Sequence, residues 1–393
     1  MIVIASIHQP STAIFGMFHK ALVLTSSGRT AFYGGKGMLR DIFGENALED
    51  VLRYANTDFK DGNVNRLESL RSMWQDAPEA RIDDIVIAQQ RKAIGGHFSL
   101  PRNARPTGLH IQLCLLQRSF LKSYRDVVPY GIRIAMYLGL AILMGSVWYR
   151  LEPSQDNIQA FENAIFFGGA FMSFMAVAYI PAYLEDRAMY TKERANGLYG
   201  PATFLMTNFL IGTPYLFLIA ASFSTLVYWM SNFRPSAIAF FVWIGWLFLD
   251  LLAAEGLVVL VSSLKANFVI ALAGTAFSNG IWMCTNGFLV PTDTLNAFWR
   301  YVFHYIDYQA YVFEGMMVNE FSNRNYTCGL TRSGYCDCLY QSDFASDCLI
   351  DGRVVLDKYG FTAASAVRGA AILVCLIVAY RFLGLCVLHI RKV

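Results

Sequence analysis

Charge is what this chain has little of. Only 16% of its 393 residues are Asp, Glu, Lys or Arg, against ~25% in soluble globular proteins. Hydrophobic residues make up 55%. That balance excludes an ordinary soluble enzyme and implies a polytopic membrane protein. The net charge of +3 is too small to point to nucleic acid as a partner. No cleavable leader is evident: Met1-Ile-Val-Ile-Ala5 is apolar but short, and Pro10 follows with no basic region before it. There is no internal repeat and no low-complexity tract, and no metal site is expected.

The apolar residues fall into blocks. A helix needs ~20 residues to cross a bilayer, and six stretches qualify, at about 129–149, 161–182, 203–230, 236–262, 266–289 and 368–388. Lys and Arg alternate between the flanks. Arg118, Lys122 and Arg125 precede the first span, and Arg187, Lys192 and Arg194 lie between the second and third. Lys265 lies between the fourth and fifth, and Arg391 and Lys392 end the chain. The other short links carry only Arg150 and Arg234. The positive-inside rule then makes both termini cytosolic. Before the first span, residues 109–124 are amphipathic: Leu109, Leu113, Leu116 and Phe120 share a face opposite Arg118 and Lys122, as in a helix lying in the membrane interface.

The most charged short segment between two apolar blocks is Tyr183-Leu-Glu-Asp-Arg-Ala-Met-Tyr-Thr-Lys-Glu-Arg-Ala-Asn-Gly-Leu-Tyr199. Its spacing predicts a short helix between two spans, with Glu185, Met189 and Lys192 on one face and Asp186, Tyr190 and Glu193 on the next. Asn196-Gly197 suits a helix stop, since both tolerate the left-handed conformation. Such a link either bears on a soluble partner, towards which its charges are expected to face, or is a solvated turn. Residues 290–367 then lie outside. They hold Cys328, Cys336, Cys338 and Cys348 and the chain's one sequon, Asn325-Tyr326-Thr327. Clustered cysteines beside a sequon suit an oxidising compartment. Two disulfides and glycosylation at Asn325 are expected, with all three pairings open. Cys114, Cys284, Cys375 and Cys386 lie in apolar stretches and read as packing residues.

The N-terminal stretch reads differently. Short strands are expected at 2–5, 21–24 and 30–33, with a turn at 26–29. Weak helical periodicity follows at 67–74 and a helix is expected at 82–93. The segment Val3-Ile-Ala-Ser-Ile-His-Gln-Pro-Ser11 resembles the switch-histidine segment of ABC transporters of the G subfamily, the White/pigment and multidrug half-transporters. Leu184-Glu-Asp-Arg187 through Glu193-Arg-Ala-Asn-Gly197 resembles that family's coupling helix, and Asn319-Glu-Phe321 the start of its large extracellular loop. The wording of Leu252-Ala-Ala-Glu-Gly256 and Ala276-Phe-Ser-Asn-Gly280 is most similar to fungal members.

The resemblance implies a fold and a role. The fold is an all-α membrane protein, a six-helix ABC-2 type exporter domain preceded by a partial α/β nucleotide-binding remnant. Residues 1–60 would be the ATPase remnant, 61–106 a linker, 107–127 the connecting helix, and 128–289 spans one to five with the coupling helix at about 183–197. Residues 290–367 would be the outer loop and 368–393 the last span and tail. ATP and Mg would serve the complete transporter, with His8 at the γ-phosphate. Glu185, Asp186, Arg187, Glu193 and Arg194 would carry coupling. The resemblance also places Phe171, Phe174, Asn279 and Met283 at a substrate cavity on the dimer axis. The implied activity is export of a hydrophobic molecule by a homodimer or heterodimer of half-transporters, in the plasma membrane or an internal one.

The sequence departs from the family pattern in one respect. Gly34-Gly35-Lys36-Gly37 has the wrong spacing for a P-loop and follows the histidine. A truncated ATPase domain is therefore expected, and no nucleotide bound by this chain alone. Within the spans, Asp250, Glu255 and Asn279 are polar groups that a bilayer makes expensive. Interhelical hydrogen bonding is one reading and proton coupling through Asp250 or Glu255 another. A non-transporting regulatory partner is a further alternative. Phe166, Phe167, Phe171 and Phe174 form an aromatic run on the second span, most of them expected to face lipid, with Phe174 best placed for substrate.

Overall fold

The computed structural model describes residues 4–6, 12–24, 30–35, 37, 72, 107–125, 128–330 and 336–391. The chain divides into two units, at Arg105 and Pro106. In the first, a helical turn at Thr12–Phe15 precedes strands β1 (Lys20–Leu24) and β2 (Thr30–Gly35). The two pair antiparallel, with Lys20 opposite Gly35 and Val23 opposite Phe32. Phe32 is buried, while Lys20 Nζ sits 5.3 Å from the centre of the Tyr33 ring. Two of the three expected strands are thus present. The third is not seen: residues 4–6 have no regular structure and Ile4 is exposed, with no strand beside it among the described residues to supply hydrogen bonds. Ile2, Val3 and the expected helices at 67–74 and 82–93 lie outside the described residues, apart from Ser72, which is helical.

The second unit is helical. Helix α1 (Gly108–Arg125) comes first, then α2 (Arg133–Val147), α3 (Ile158–Met175) and α4 (Ile180–Ala195). Helices α5 (Pro201–Met230), α6 (Ala237–Leu264) and α7 (Phe268–Thr285) follow. Then come α8 (Tyr308–Phe321), four short strands, α9 (Gly352–Tyr359) and α10 (Ala363–Ile390). Six segments are long and apolar enough to cross a membrane: Tyr130–Val147, Gln155–Ala195, Pro201–Met230, Ala237–Leu264, Phe268–Thr285 and Ala363–Ile390. These coincide with the six spans read from the sequence. The protein is an integral multi-pass membrane protein.

Helix α6 is the centre of the bundle. Its middle, from Asp250 to Val259, is buried on all sides, as a helix without a polar face must be. It packs on α10, α5, α8, α3 and α7. Helix α5 runs unbroken through Pro214. That is tolerable in an apolar bundle, where neighbouring groups re-satisfy the backbone.

One element went unread in the sequence. Residues 319–321 are the last of α8, in which 12 residues from Tyr308 to Phe321 are buried. Asp307 starts this helix by accepting from Gln309 N at 2.8 Å. At 14 residues it is shorter than a span, which hid it from a length criterion. Gly315 lets it close on α6, because a Cβ there would lie 2.1 Å from the Trp246 ring. Beyond α8, strand β3 (Asn325–Thr327) meets β6 (Leu349–Asp351), and β4 (Gly329–Leu330) meets β5 (Cys336–Asp337). Disulfides Cys328–Cys338 and Cys336–Cys348 interleave across these strands, with Cα separations of 4.8 and 5.2 Å.

Candidate functional site

Helix α4 holds the charged segment singled out in the sequence, and it is not a separate short link. A 3-10 turn at Ala176–Tyr179 joins it to α3, so the second span continues as a polar helix to Ala195. Pro181 in its first turn suits a helix start, and Gly197 ends it at φ +70°. The buried face is Tyr183, Arg187 and Tyr190, while Glu185, Met189 and Lys192 are exposed.

The charges of α4 are mostly turned inward, against the expectation that they face a soluble partner. Lys122 of α1 donates to Glu185 Oε1 at 2.9 Å and to Asp186 Oδ1 at 2.8 Å. Arg118 forks onto Glu193, with Nη2 3.1 Å from Oε2, and the Tyr199 hydroxyl donates to the same carboxylate. Arg187 is buried and donates to the Ser262 carbonyl at 2.6 Å, at the end of α6. Arg194 donates to the Leu388 carbonyl and, at 3.3 Å, to those of His389 and Arg391, at the end of α10. The reason is local: α4 sits against the polar side of α1 and the open carbonyls of two helix ends, which unsatisfied donors seek. The bond to Glu193 holds the Arg118 guanidinium above its ordinary pKa. Partial burial works against the Lys122 ammonium, yet Asp186 and Glu185 outweigh it and push it up. Burial first, then Glu193, raises the Tyr199 phenol.

Helix α1 carries the complementary pattern. Leu109, Leu113 and Phe120 are exposed, an apolar stripe suited to the interface, and Arg118 and Lys122 turn to α4. A cleft runs between α1, α4 and the start of α5, lined by Leu115, Lys122, Tyr130, Met189, Phe204 and Asn208.

Deeper in the bundle, Glu255 on α6 is 1% exposed and lies between two arginines. Arg133 Nη1 on α2, in a side chain 4% exposed, is 3.0 Å from Oε2. Arg381 Nη2 on α10 is 3.5 Å from Oε1. The Arg133 guanidinium also lies over the Tyr179 ring at 5.2 Å. These arginines are single charges inside apolar helices, and sequence reasoning passed over them. The signal was there: a charge inside a span calls for a partner. Asp250, five residues before Glu255, meets none of these; it accepts from Ser173 Oγ at 2.7 Å.

The structure separates the other residues read from the sequence. Phe166 is 3% exposed, stacks on Phe288 at 4.5 Å and meets Phe313 edge-on, so it is core and not lipid-facing. Phe171 and Phe174 are each 39% exposed. Asn279 is buried and accepts from Tyr308 at 2.9 Å and Gln309 at 3.1 Å, tying α7 to α8. Met283 is half-buried against the core. Asn325 is exposed at the start of β3. Cys114, Cys284 and Cys375 are exposed on apolar helices and do not pack the core as expected; Cys386 is half-buried. His8 lies outside the described residues, and among those described no cluster could hold a metal.

The described residues do not fit a nucleotide. Gly34 and Gly35 lie in β2, paired with Ala21 and Lys20. A phosphate cradle instead needs successive amides converging at a helix N-terminus.

Six spanning helices, an amphipathic helix at their start and a polar helix clamped beneath them define a transporter-type membrane domain. The sequence matches the family described as ABC-2 type transporter over residues 112–321, more than half of the chain. The chain belongs to that family. Among its curated relatives are ABC transporter G family member 1 of Petunia hybrida, 29% identical over 81% of this chain and 53% of the relative, and two from Arabidopsis thaliana. ABC transporter G family member 13 is 28% identical over 81% of this chain and 53% of its own length, and member 5 is 24% identical over 99% and 62%. The chain spans about half the length of the first of these relatives. All three are plant proteins, which lends no support to the fungal likeness read in the fourth and fifth spans.

Proposed function

We propose that this membrane domain works as half of a dimeric, ATP-driven exporter of a hydrophobic molecule, with α4 as the element that passes movement into the bundle. The observation that carries the reading is the set of bonds around α4. On one side it is joined to α1 by three ion pairs. On the other, Arg187 and the Tyr183 hydroxyl, 2.6 Å from Ser263 Oγ, hold the end of α6, and Arg194 holds the end of α10. A displacement of α4 thus reaches the buried centre of the bundle through α6. ATP and Mg would supply the driving reaction, and the groups that hold them belong outside the described residues. Both termini are proposed to be cytosolic, which puts α4 at the cytosolic face and the disulfide-linked strands outside. Phe171 and Phe174, exposed on one side of α3, are proposed to face substrate across the dimer axis.

Charge reversal tests the transmission. In the full-length transporter in lipid vesicles, Arg118→Glu should lower ATP turnover severalfold at near-normal expression. Combining it with Glu193→Arg should restore most of the loss. Turnover that is untouched by the single reversal would remove the role of the α1–α4 pairs.

A further inference from the structure

Asp250 is a buried carboxylate of the spans that the transport reading leaves unused. It is 0% exposed at the middle of α6. One carboxyl oxygen accepts from Ser173; the other, Oδ2, has no hydrogen-bond partner. It borders a small closed-in cavity between α3, α6 and α8, lined also by Phe166, Gly169, Asn286, Gln309 and Met316. The Oε1 of Gln309, likewise buried, has no partner either, while its amide nitrogen is committed to Asn279. Two acceptor oxygens therefore border one space, and neither receives a hydrogen bond.

What faces Asp250 contains no countercharge. Helix α3 gives Ser173, α2 gives the Tyr137 phenol, and α8 gives Tyr308 and Gln309, with Asp307 just before it. Among the described residues it makes no ion pair, and the Arg133 guanidinium, 5.9 Å from the centre of the Tyr137 ring, is engaged by Glu255. An isolated carboxylate in such a place costs several kcal/mol or more unless it is paired or neutralised. Glu255, one and a half turns away, shows the alternative, with two arginines supplied. The room inside the cavity, about 10 Å³, is that of one water-sized occupant.

We propose that this cavity binds a single small positive charge, a proton or a sodium ion, through Asp250 and Gln309. Both sources satisfy the same chemistry: a bare carboxyl oxygen and a bare amide oxygen gain one electropositive occupant, and the middle of α6 becomes electrically neutral. The site is independent of nucleotide, and binding is measurable without transport.

The test uses the full chain purified into nanodiscs of neutral lipid. Its thermal midpoint is measured in sodium chloride against choline chloride at equal ionic strength, and separately from pH 5.5 to 8.5 without sodium. An occupant bound only by the folded state raises the midpoint as its concentration rises. Wild type should gain stability with sodium if that is the source, or with falling pH if the proton is. Asp250→Asn, which keeps the bond from Ser173, should lose that response. Should Asp250→Asn fail to fold, Gln309→Met carries the test, and the sodium or proton concentration for half-effect should rise about tenfold. A wild type indifferent to both ions, a response unchanged in Asp250→Asn, or a half-effect unmoved by Gln309→Met would each overturn the site.

Discussion

Glu255 holds two arginines inside the bilayer, and removing its charge is the most informative single perturbation of the bundle. The substitution is Glu255→Gln, which keeps the shape. It leaves Arg133, 4% exposed, with an uncompensated guanidinium, because the Nε and Nη2 of that side chain have no other hydrogen-bond partner. Breaking a buried pair by deleting one member costs about 3–5 kcal/mol. Gln still offers one acceptor to Nη1, so the lower end, about 3 kcal/mol, is expected. Domains of 150–250 residues lose roughly 2–4 °C per kcal/mol, which puts the fall in midpoint on the order of 10 °C. The assay is thermal unfolding in nanodiscs, with Arg133→Met/Glu255→Met measured beside it. Replacing both partners by apolar groups removes the buried charge together with its counterion and should recover most of the loss. A Glu255→Gln protein melting within a degree of wild type would show that the arginines are satisfied elsewhere, and the proposed triad would fall.

Gly212→Ala should destabilise the same region, since a Cβ there would sit 2.8 Å from Glu255 Oε1; a wild-type midpoint would mean that α5 and α6 are further apart than described. Gly315→Ala should be more damaging still, with the new methyl driven into the Trp246 ring, and is read by loss of monodisperse protein on size exclusion. Phe166→Ala should cost about 3–5 kcal/mol as a buried aromatic, whereas Phe174→Ala should spare stability and weaken export; equal melting of the two would refute the split. Protein made in a eukaryotic cell should shift on a gel after glycosidase treatment, and the shift should vanish in Asn325→Gln; no shift would count against an outer location for β3.

The spans were legible because a bilayer imposes length and composition on any helix that crosses it. The charged segment of α4 was legible as a helix, but its partners were not. Arg187 and Arg194 look like surface charges in sequence, and only the fold reveals that they end on the carbonyls of Ser262 and Leu388, 75 and 194 residues away. Helix α8 was missed because its burial comes from packing on α6 and α10 rather than from span length; Asp307 as its cap was the available sign. The aromatic run on α3 reads uniformly in sequence, yet α3 faces the core at Phe166 and turns outward by Phe171. The disulfide pairing was open on composition, and backbone register would not have chosen it: β3 and β6 set Cys348 beside Cys328, with Cys328 N donating to the Cys348 carbonyl at 2.9 Å, yet the bonds run Cys328–Cys338 and Cys336–Cys348.

Helix α1 has an apolar stripe on one side and the ion pairs to α4 on the other. Leu109, Leu113 and Phe120 have no protein to cover them in the unit to which they belong. Their hydrophobic free energy, roughly 25 cal/mol per Å² removed from water, is therefore set by the surrounding amphiphile. Arg118 and Lys122 hang from the same rigid helix, so the position at which that stripe floats also sets how tightly they grip Glu193 and Asp186. Lipid and detergent are then reagents in any measurement of coupling, and two laboratories that choose different ones will be weighing different proteins.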